Sequence, residues 1–292
     1  MTQPAAVSAY VPCYNNAGTI ALTLAGMRAQ THPIDDLFVV DDGSTDNSAE
    51  IVEKLGVRLV RMEKNLGRGA VRARAMEEAR HEFVLCCDGT NRLVPTFLAD
   101  ALKWMERDYI IGVLGRWFDP NPRSIIDRWR ARHLFQQQMI HKHEFNADLS
   151  THGTLMRKSA VMKAGNFNPA LRHGEDYDLG QRLLGLGDIV YDPDLRVETV
   201  VHNTLVKVME RYTRWNRSGI ETYSMTNFLE SHLVAWRIMM PRDFAAGDWP
   251  SACISALLPY FALANADKVS FTFTPRVKVQ KAAPIHESGK NP

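Results

Sequence analysis

Four short apolar runs alternate with helical stretches through the N-terminal part of the chain, and that alternation restricts the fold more than any other feature. Val7–Val11, Asp36–Val40, Val57–Met62 and Phe83–Cys87 read as strands; Thr19–Gln30, Ser48–Leu55 and Arg68–Arg80 read as the helices between them. Thr45 or Asp46 is the expected N-cap of the second helix. Such a pattern builds a mainly parallel sheet sandwiched by helices. Open sheets of this class bind ligands beyond the carboxyl ends of their strands. The chain places polar residues at those ends: Asn15 after the first strand, Asp41 and Asp42 after the second, Asn65 after the third and Asp88 after the fourth.

The remainder is less regular. Arg116–Asp148 is rich in Arg, His, Gln and Trp with few strand signals, and Ser150–Met156 could rejoin the sheet. Ser159–Ala164 and Asp176–Leu186 read as helices, Ile189–Tyr191 and Arg196–His202 as strands. From Lys207 to about Met240 the pattern is helical, and Phe244–Ala266 adds helix. Residues 282–292 are polar and contain Pro and Gly, the composition of a disordered tail.

With 292 residues, 45% of them hydrophobic, the chain can bury a large core. A formal net charge of +2 gives no reason to expect a nucleic-acid partner. The four cysteines form no C-x-x-C pair and read as buried thiols of a reducing compartment. No basic-then-apolar leader opens the chain, and the longest apolar stretch, Ala252–Ala266, is interrupted by Pro259 and Asn265. It falls short of the ~20 residues a membrane span requires. A cytoplasmic protein is expected, with the inner face of the membrane as an alternative station.

Each polar cluster has a functional and a bland reading. Asp41-Asp42-Gly43-Ser44 could accept hydrogen bonds from a ribose or base amide, or could be an Asx-turn between strand and helix. Asp88-Gly89-Thr90-Asn91 could hold a divalent cation that bridges a diphosphate, or simply turn the chain. Asn65–Arg74 is a glycine-containing basic loop that could approach phosphates, yet it lacks the Lys-Ser/Thr of a P-loop. Glu175-Asp176-Tyr177-Asp178 either complements a helix dipole or supplies a general base. His202 ends an apolar run and could ligate a metal or contact a phosphate. Arg211, Arg214 and Arg217 lie near one helix face.

Taken in order, these motifs resemble those of the family-two glycosyltransferases, inverting enzymes of the nucleotide-diphosphosugar (GT-A) fold. The resemblance runs from Val7 to His202 and extends weakly to Trp215. It implies a GT-A domain over 1–204, with a nucleotide-sugar half at 1–115 and an acceptor and catalytic half at 116–204. A helical extension at 205–281 follows. It further implies that Pro12, Tyr14 and Asn15 line the nucleotide pocket, that Asp41 meets the base or ribose with Asp42 close by, and that Arg72 and Arg214 approach the donor. Asp88 matches the first acid of the family's metal-binding Asp-x-Asp, His202 a position near the metal or diphosphate, and Asp176, beside Glu175, the catalytic base. The second acid of Asp-x-Asp is Thr90 here, so Mg²⁺ or Mn²⁺ would rest on Asp88 with little further protein charge.

The expected reaction is a single displacement: sugar passes from a nucleotide-diphosphate sugar to the hydroxyl of a saccharide or lipid-linked acceptor, as in polysaccharide biosynthesis, with Asp176 taking the proton. Two rivals stand. A degenerate GT-A protein would only bind a sugar nucleotide or a partner, and Thr90 favours it. A nucleotidyltransferase would need a basic phosphate loop, and Pro12–Ile20 has no basic residue. Apolar positions at Ile254, Leu257, Leu258, Phe261 and Leu263 read as core, as a homodimer surface or as peripheral membrane contact.

Overall fold

The structure is a computed structural model that describes residues 5–216, 222–266 and 268–271. They fall into two compact units: 5–118 with 140–201, and 119–139 with the described residues from 202 onward. The first unit holds the expected parallel core: β1 (Val7–Cys13), α1 (Ile20–Arg28), β2 (Asp36–Asp41), α2 (Ser48–Lys54), β3 (Arg58–Arg61), α3 (Arg68–Glu78) and β4 (Phe83–Cys87). Strand β1 pairs in parallel with both β2 and β4, and β2 with β3. Asn47, not Thr45 or Asp46, precedes α2, while the Asp46 carboxylate accepts a hydrogen bond from the Ser48 backbone N–H at 3.0 Å.

The sheet then continues with β5 (Asn91–Leu93), α4 (Phe97–Met105), β6 (Ile110–Phe118), β7 (Gly153–Arg157), α6 (Lys158–Lys163), α7 (Glu175–Leu183) and β8 (Asp188–Thr199). A further helix, α5 (Ile125–Trp129), lies in the second unit. Strand order is β3-β2-β1-β4-β7-β6-β8-β5. Strand β7 runs antiparallel to both β4 and β6, so the sheet is mixed. Alternate residues of each strand feed two cores. Val7, Ala9, Val11, Val39 and Leu85 pack with Leu24 of α1 and Phe97 of α4. On the other face Tyr10, Phe38, Val84 and Cys86 pack with Met76 of α3, Val161 of α6 and Leu179 of α7.

Two differences from the sequence reading have physical causes. Strand β6 carries Gly112 and Gly115, which dilute its strand signal, yet a Cβ at Gly115 would overlap the Leu195 carbonyl, so only glycine lets β8 come this close. The two strands read at Ile189–Tyr191 and Arg196–His202 are one strand. The Asp192-Pro193-Asp194 interruption is a bulge, across which the register passes from Leu114↔Tyr191 to Arg116↔Arg196.

The second unit is mostly helical. It contains α5 with the π-turn Arg130–Leu134, α8 (Leu205–Asn216), α9 (Met225–Val234), a second π-turn (Ala235–Met239), α10 (Met240–Ala245) and α11 (Trp249–Ala264). The helical run expected from Lys207 is broken by β9 (Tyr223–Ser224), which pairs with β10 (Val269–Ser270). Ser224 then starts α9 through a reciprocal cap with Asn227. Pro259 sits inside α11 without ending it. The unit closes around Trp129, Val208, Met209, Met239, Ile254 and Leu258. Among the described residues no helix is long and apolar enough to cross a membrane. Cys13, Cys86 and Cys87 are buried as expected, but Cys253 is exposed. Residues 282–292 lie outside the described residues.

Candidate active site

The polar clusters of the first unit meet where β1, β2 and β4 end. Strand register places Pro12 beside Val40 and Cys13 beside Asp41. Asn15 adopts a left-handed conformation (φ 52°), and its Oδ1 accepts from the backbone N–H of Thr45 at 2.9 Å and Asp46 at 3.3 Å. Its own N–H donates to Ser44 Oγ at 3.0 Å, so the first and second loops are stitched together. Tyr14 is left exposed. Gly89 packs against this loop: a Cβ there would lie 3.1 Å from both the Pro12 carbonyl oxygen and Asn16 Oδ1.

The two adjacent aspartates divide their work. Asp41 is buried and accepts from both the N–H and the hydroxyl of Ser44. Asp42 accepts from the backbone N–H of Leu66 at 2.8 Å and of Gly67 at 2.9 Å. The second carboxylate therefore fixes the loop entering α3. The turn reading of Asp41-Asp42-Gly43-Ser44 is seen directly in these hydrogen bonds.

Arg72 of α3 is the centre of the site's charge. It is only 2% exposed, and its three nitrogens are all committed. Nε donates to Glu175 at 3.0 Å, Nη2 to Asp88 Oδ1 at 2.8 Å and Nη1 to Cys86 Sγ at 2.8 Å. The resemblance implied an arginine reaching toward the nucleotide; the structure places it beneath the carboxylates, joining them. Burial raises the Cys86 thiol to about 11, so the sulfur stays protonated at neutral pH. Burial would raise the Asp88 carboxyl too, but Arg72 and then Arg68 outweigh it and hold it below its ordinary value.

The Glu175-Asp176 pair opens α7 after Gly174, whose left-handed backbone (φ 72°) suits glycine. Glu175 is buried and locked on Arg72. Asp176 is half-buried, and its carboxylate accepts only from the Tyr177 backbone N–H, at 3.0 Å, among the described residues. Burial first, and the neighbouring Glu175 charge second, push its carboxyl up. Two adjacent acids thus differ in role: one is fixed in an ion pair, the other is a free carboxylate of raised basicity.

Sequence reading did not single out two neighbours of Asp88. Arg68 is exposed at the start of α3 and donates no hydrogen bond among the described residues. The quoted loop Asn65–Arg74 contained it, but only the fold brings its field to bear on Asp88. His152 is buried against Trp117 with ring centroids 3.7 Å apart, and its ring nitrogens meet Gly115 O and Ser150 Oγ. Burial lowers it to about 4, so it is neutral. Its carbonyl accepts from the Asp88 N–H and from Asn91 Nδ2. No local motif announced it.

Asp88 is the metal candidate read from the sequence; among the described residues the acids that cluster with a histidine are instead Asp192 and Asp194, with His143. Oδ2 of Asp88 carries no hydrogen bond among the described residues, and its side chain is 32% exposed. Such a donor fits a hard divalent cation completed by diphosphate oxygens and water. His202 belongs to the second unit, where its Nδ1 lies 3.0 Å from Asp127 Oδ2, leaving Nε2 outward. The side chain of Arg214 lies outside the described residues.

A model of the family described as Glycosyl transferase family 2 matches residues 8–165, more than half of the chain. The chain belongs to that family. The match spans β2 and β4 with Asp41, Asp42 and Asp88 at or just past their ends, and stops before Glu175-Asp176. The family 2 chain is 22% identical, over 91% of its length and 67% of the relative's, to a poly-beta-1,6-N-acetyl-D-glucosamine synthase of Staphylococcus epidermidis. It is 26% identical, over 51% of its length, to an uncharacterized glycosyltransferase of Methanocaldococcus jannaschii, of which it spans about half (53%). Among solved structures, the mannosyltransferase PcManGT of Pyrobaculum calidifontis, in complex with GDP-Man and Mn²⁺, is similar with a TM-score of 0.58. The identity is 17%, covering 90% of this chain and 86% of that one. TarS 1-349 of S. aureus in complex with UDP is similar with a TM-score of 0.56 and 21% identity, covering 82% and 72%. The chain thus has the GT-A fold and belongs to a family of glycosyltransferases.

Proposed function

We propose that the protein transfers a sugar from a nucleotide-diphosphate sugar to an acceptor hydroxyl with inversion, and that Asp176 is the general base. The observation that carries this reading is the contrast inside one acid pair. Glu175 is held by Arg72, while Asp176 presents a free, half-buried carboxylate of raised basicity in the same unit as Asp88.

In the displacement, the acceptor oxygen forms its bond to the anomeric carbon as the bond to the diphosphate oxygen breaks. The acceptor proton passes to Asp176. Pro12, Tyr14 and Asn15 line the nucleoside pocket; Asp41 meets the base or ribose, and Asp42 fixes the facing loop through Leu66 and Gly67. Glu175 and Asp88, bridged by Arg72, are held in place. Arg68, whose charge acts on Asp88, would add a cation to offset the diphosphate's charge. When bound, a divalent cation on Asp88 would offset negative charge on the departing diphosphate. The UDP and GDP-Man complexes of the similar structures support a uridine or guanosine donor. The poly-beta-1,6-N-acetyl-D-glucosamine synthases among its relatives support a saccharide acceptor.

A screen of UDP- and GDP-sugars against saccharide acceptors, with the product's anomeric configuration read by NMR, tests the reading. Inverted product is expected, lost in Asp176→Asn and reduced by chelator. Retained configuration, or a folded Asp176→Asn protein at full activity, would overturn it. Donor binding without any transfer or hydrolysis would identify a binding protein instead.

A further inference from the structure

The bulge of β8 at Asp192-Pro193-Asp194 gathers three groups that the carboxylate site does not use. One ring nitrogen of His143 and one oxygen each of Asp192 and Asp194 all lie within 4.8 Å of one another. The backbone brings the histidine there. Its neighbour Glu144 bridges to Tyr191, the N–H of Glu144 donating to the Tyr191 carbonyl at 3.1 Å and that of Tyr191 to the Glu144 carbonyl at 2.8 Å. His143 Nε2 then lies 3.2 Å from Asp192 Oδ1. From α4, the Trp104 indole N–H donates to Asp192 Oδ2 at 2.8 Å, and its ring centroid is 5.4 Å from that of His143. All of these residues belong to the first unit.

The charge of this cluster is not balanced. Asp192 is only 7% exposed, and a buried carboxylate needs both hydrogen bonds and a compensating charge. Trp104 Nε1 and the Asp194 N–H, at 2.9 Å, supply hydrogen bonds. Among the described residues no lysine or arginine pairs with Asp192, and the Asp194 carboxylate has no partner. The nearest cations are engaged elsewhere: Lys103 with Asp100 at 2.7 Å, Arg107 over the Trp104 ring at 5.0 Å. Two carboxylates this close repel unless a cation lies between them. The donor set says which cation. Mg²⁺ and Ca²⁺ take oxygen ligands, whereas an imidazole nitrogen with two carboxylate oxygens suits a first-row transition ion. Zn²⁺ accepts three such ligands and keeps a fourth position for water. Asp192 and Asp194 also line an open cavity of about 440 Å³ with Trp104 and Arg107, which leaves that position room. The indole that holds Asp192 Oδ2 is the kind of outer partner that orients a ligating carboxylate.

We propose that His143, Asp192 and Asp194 form a binding site for a divalent first-row transition ion of the Zn²⁺ type. The ion takes the place of the proton between His143 Nε2 and Asp192 Oδ1, that proton passing to solvent, and ties the chain at 143–144 to β8. The site shares no residue with Arg72, Asp88, Glu175 and Asp176. Binding is therefore tested without catalysis, and its failure leaves the transfer reading standing.

The test titrates the metal-free full chain, without donor, with Zn²⁺ and in parallel with Mg²⁺ and Ca²⁺, by isothermal calorimetry at neutral pH. Without donor, Asp88 lacks the diphosphate oxygens that would complete its shell. A single zinc equivalent is expected to bind at micromolar concentration, in preference to Mg²⁺ and Ca²⁺, with hydrogen exchange slowed over 141–149. His143→Ala should abolish this binding, and its side chain is 47% exposed, so circular dichroism should show an unchanged fold. Trp104→Phe keeps all three ligands but releases Asp192 Oδ2, and should weaken zinc about tenfold to a hundredfold. Asp88→Asn should bind zinc as the wild type does. A chain that takes up no zinc overturns the proposal and leaves His143 and Asp192 as a hydrogen-bonded pair. Zinc held equally by His143→Ala, zinc lost with Asp88→Asn, or a preference for Mg²⁺ or Ca²⁺ overturns it as well.

Discussion

At the scale of single residues, Arg72 and Asp176 have opposite electrostatic situations. Removing Arg72 would leave Glu175, whose side chain is only 2% exposed, as an uncompensated buried charge. Arg72→Ala is expected to cost about 3–5 kcal/mol, read as a lower urea midpoint. Asp88 is held below its ordinary 3.8, so the stability it contributes is present above 3.8 and is lost as pH falls through the lower folded value. Asp176 behaves the other way. Its carboxyl is raised, so its ionisation in the folded state occurs above 3.8. As a base it works only when ionised. The acid limb of kcat/KM should therefore lie above the ordinary aspartate value, activity falling as pH drops through it. In Asp176→Asn that limb should disappear and kcat fall by about 10²–10⁴. A limb unmoved by the substitution would assign it to another group.

At the scale of elements, close approach decides what works. Gly69 in the first turn of α3 faces the loop before α7: a Cβ there would overlap the carbonyl oxygens of Asn168 and Leu171, and both are backbone. Gly69→Ala must therefore separate the helix carrying Arg72 from the segment leading to Glu175. It should cost about 1–3 kcal/mol and lower kcat, measured by thermal melting alongside turnover. Nothing in the sequence marked Gly69, because the constraint comes from a segment about a hundred residues away. The strand–helix alternation through β4 was legible since each element declares itself by its own periodicity. Strand β6 was not, its Gly112 and Gly115 diluting the strand signal, and only Gly115 being required by the approach of β8. Asp41, Asp42, Asp88 and Asp176 could be picked out because they follow strands or open a helix. Their division of labour could not, since it depends on Leu66, Gly67 and Arg72 arriving from a third element.

At the scale of the whole chain, each unit is organised around a buried arginine with more than one acid. In the first unit this is Arg72 with Asp88 and Glu175; the second has two, Arg130 with Asp119 and Asp127, and Arg132 with Asp243 at 2.5 Å and Asp248 at 3.3 Å. Asp243 is fully buried and also accepts from His133 Nε2 at 2.7 Å and Ser255 Oγ at 2.6 Å, joining the π-turn after α5 to α10 and α11. Ion pairs of this kind contribute little net stability over an apolar replacement, yet breaking one is costly. They also restrict how helices can pack: through Ser255, Asp243 holds α11 in one rotation against α10. Asp243→Ala is therefore expected to lose about 3–5 kcal/mol and to free α11 more than the sheet. Hydrogen exchange read by mass spectrometry should show lost protection in 119–139 and 240–264, with β1, β2 and β4 unchanged. Uniform loss over both units would show instead that Asp243 supports the chain as one cooperative body.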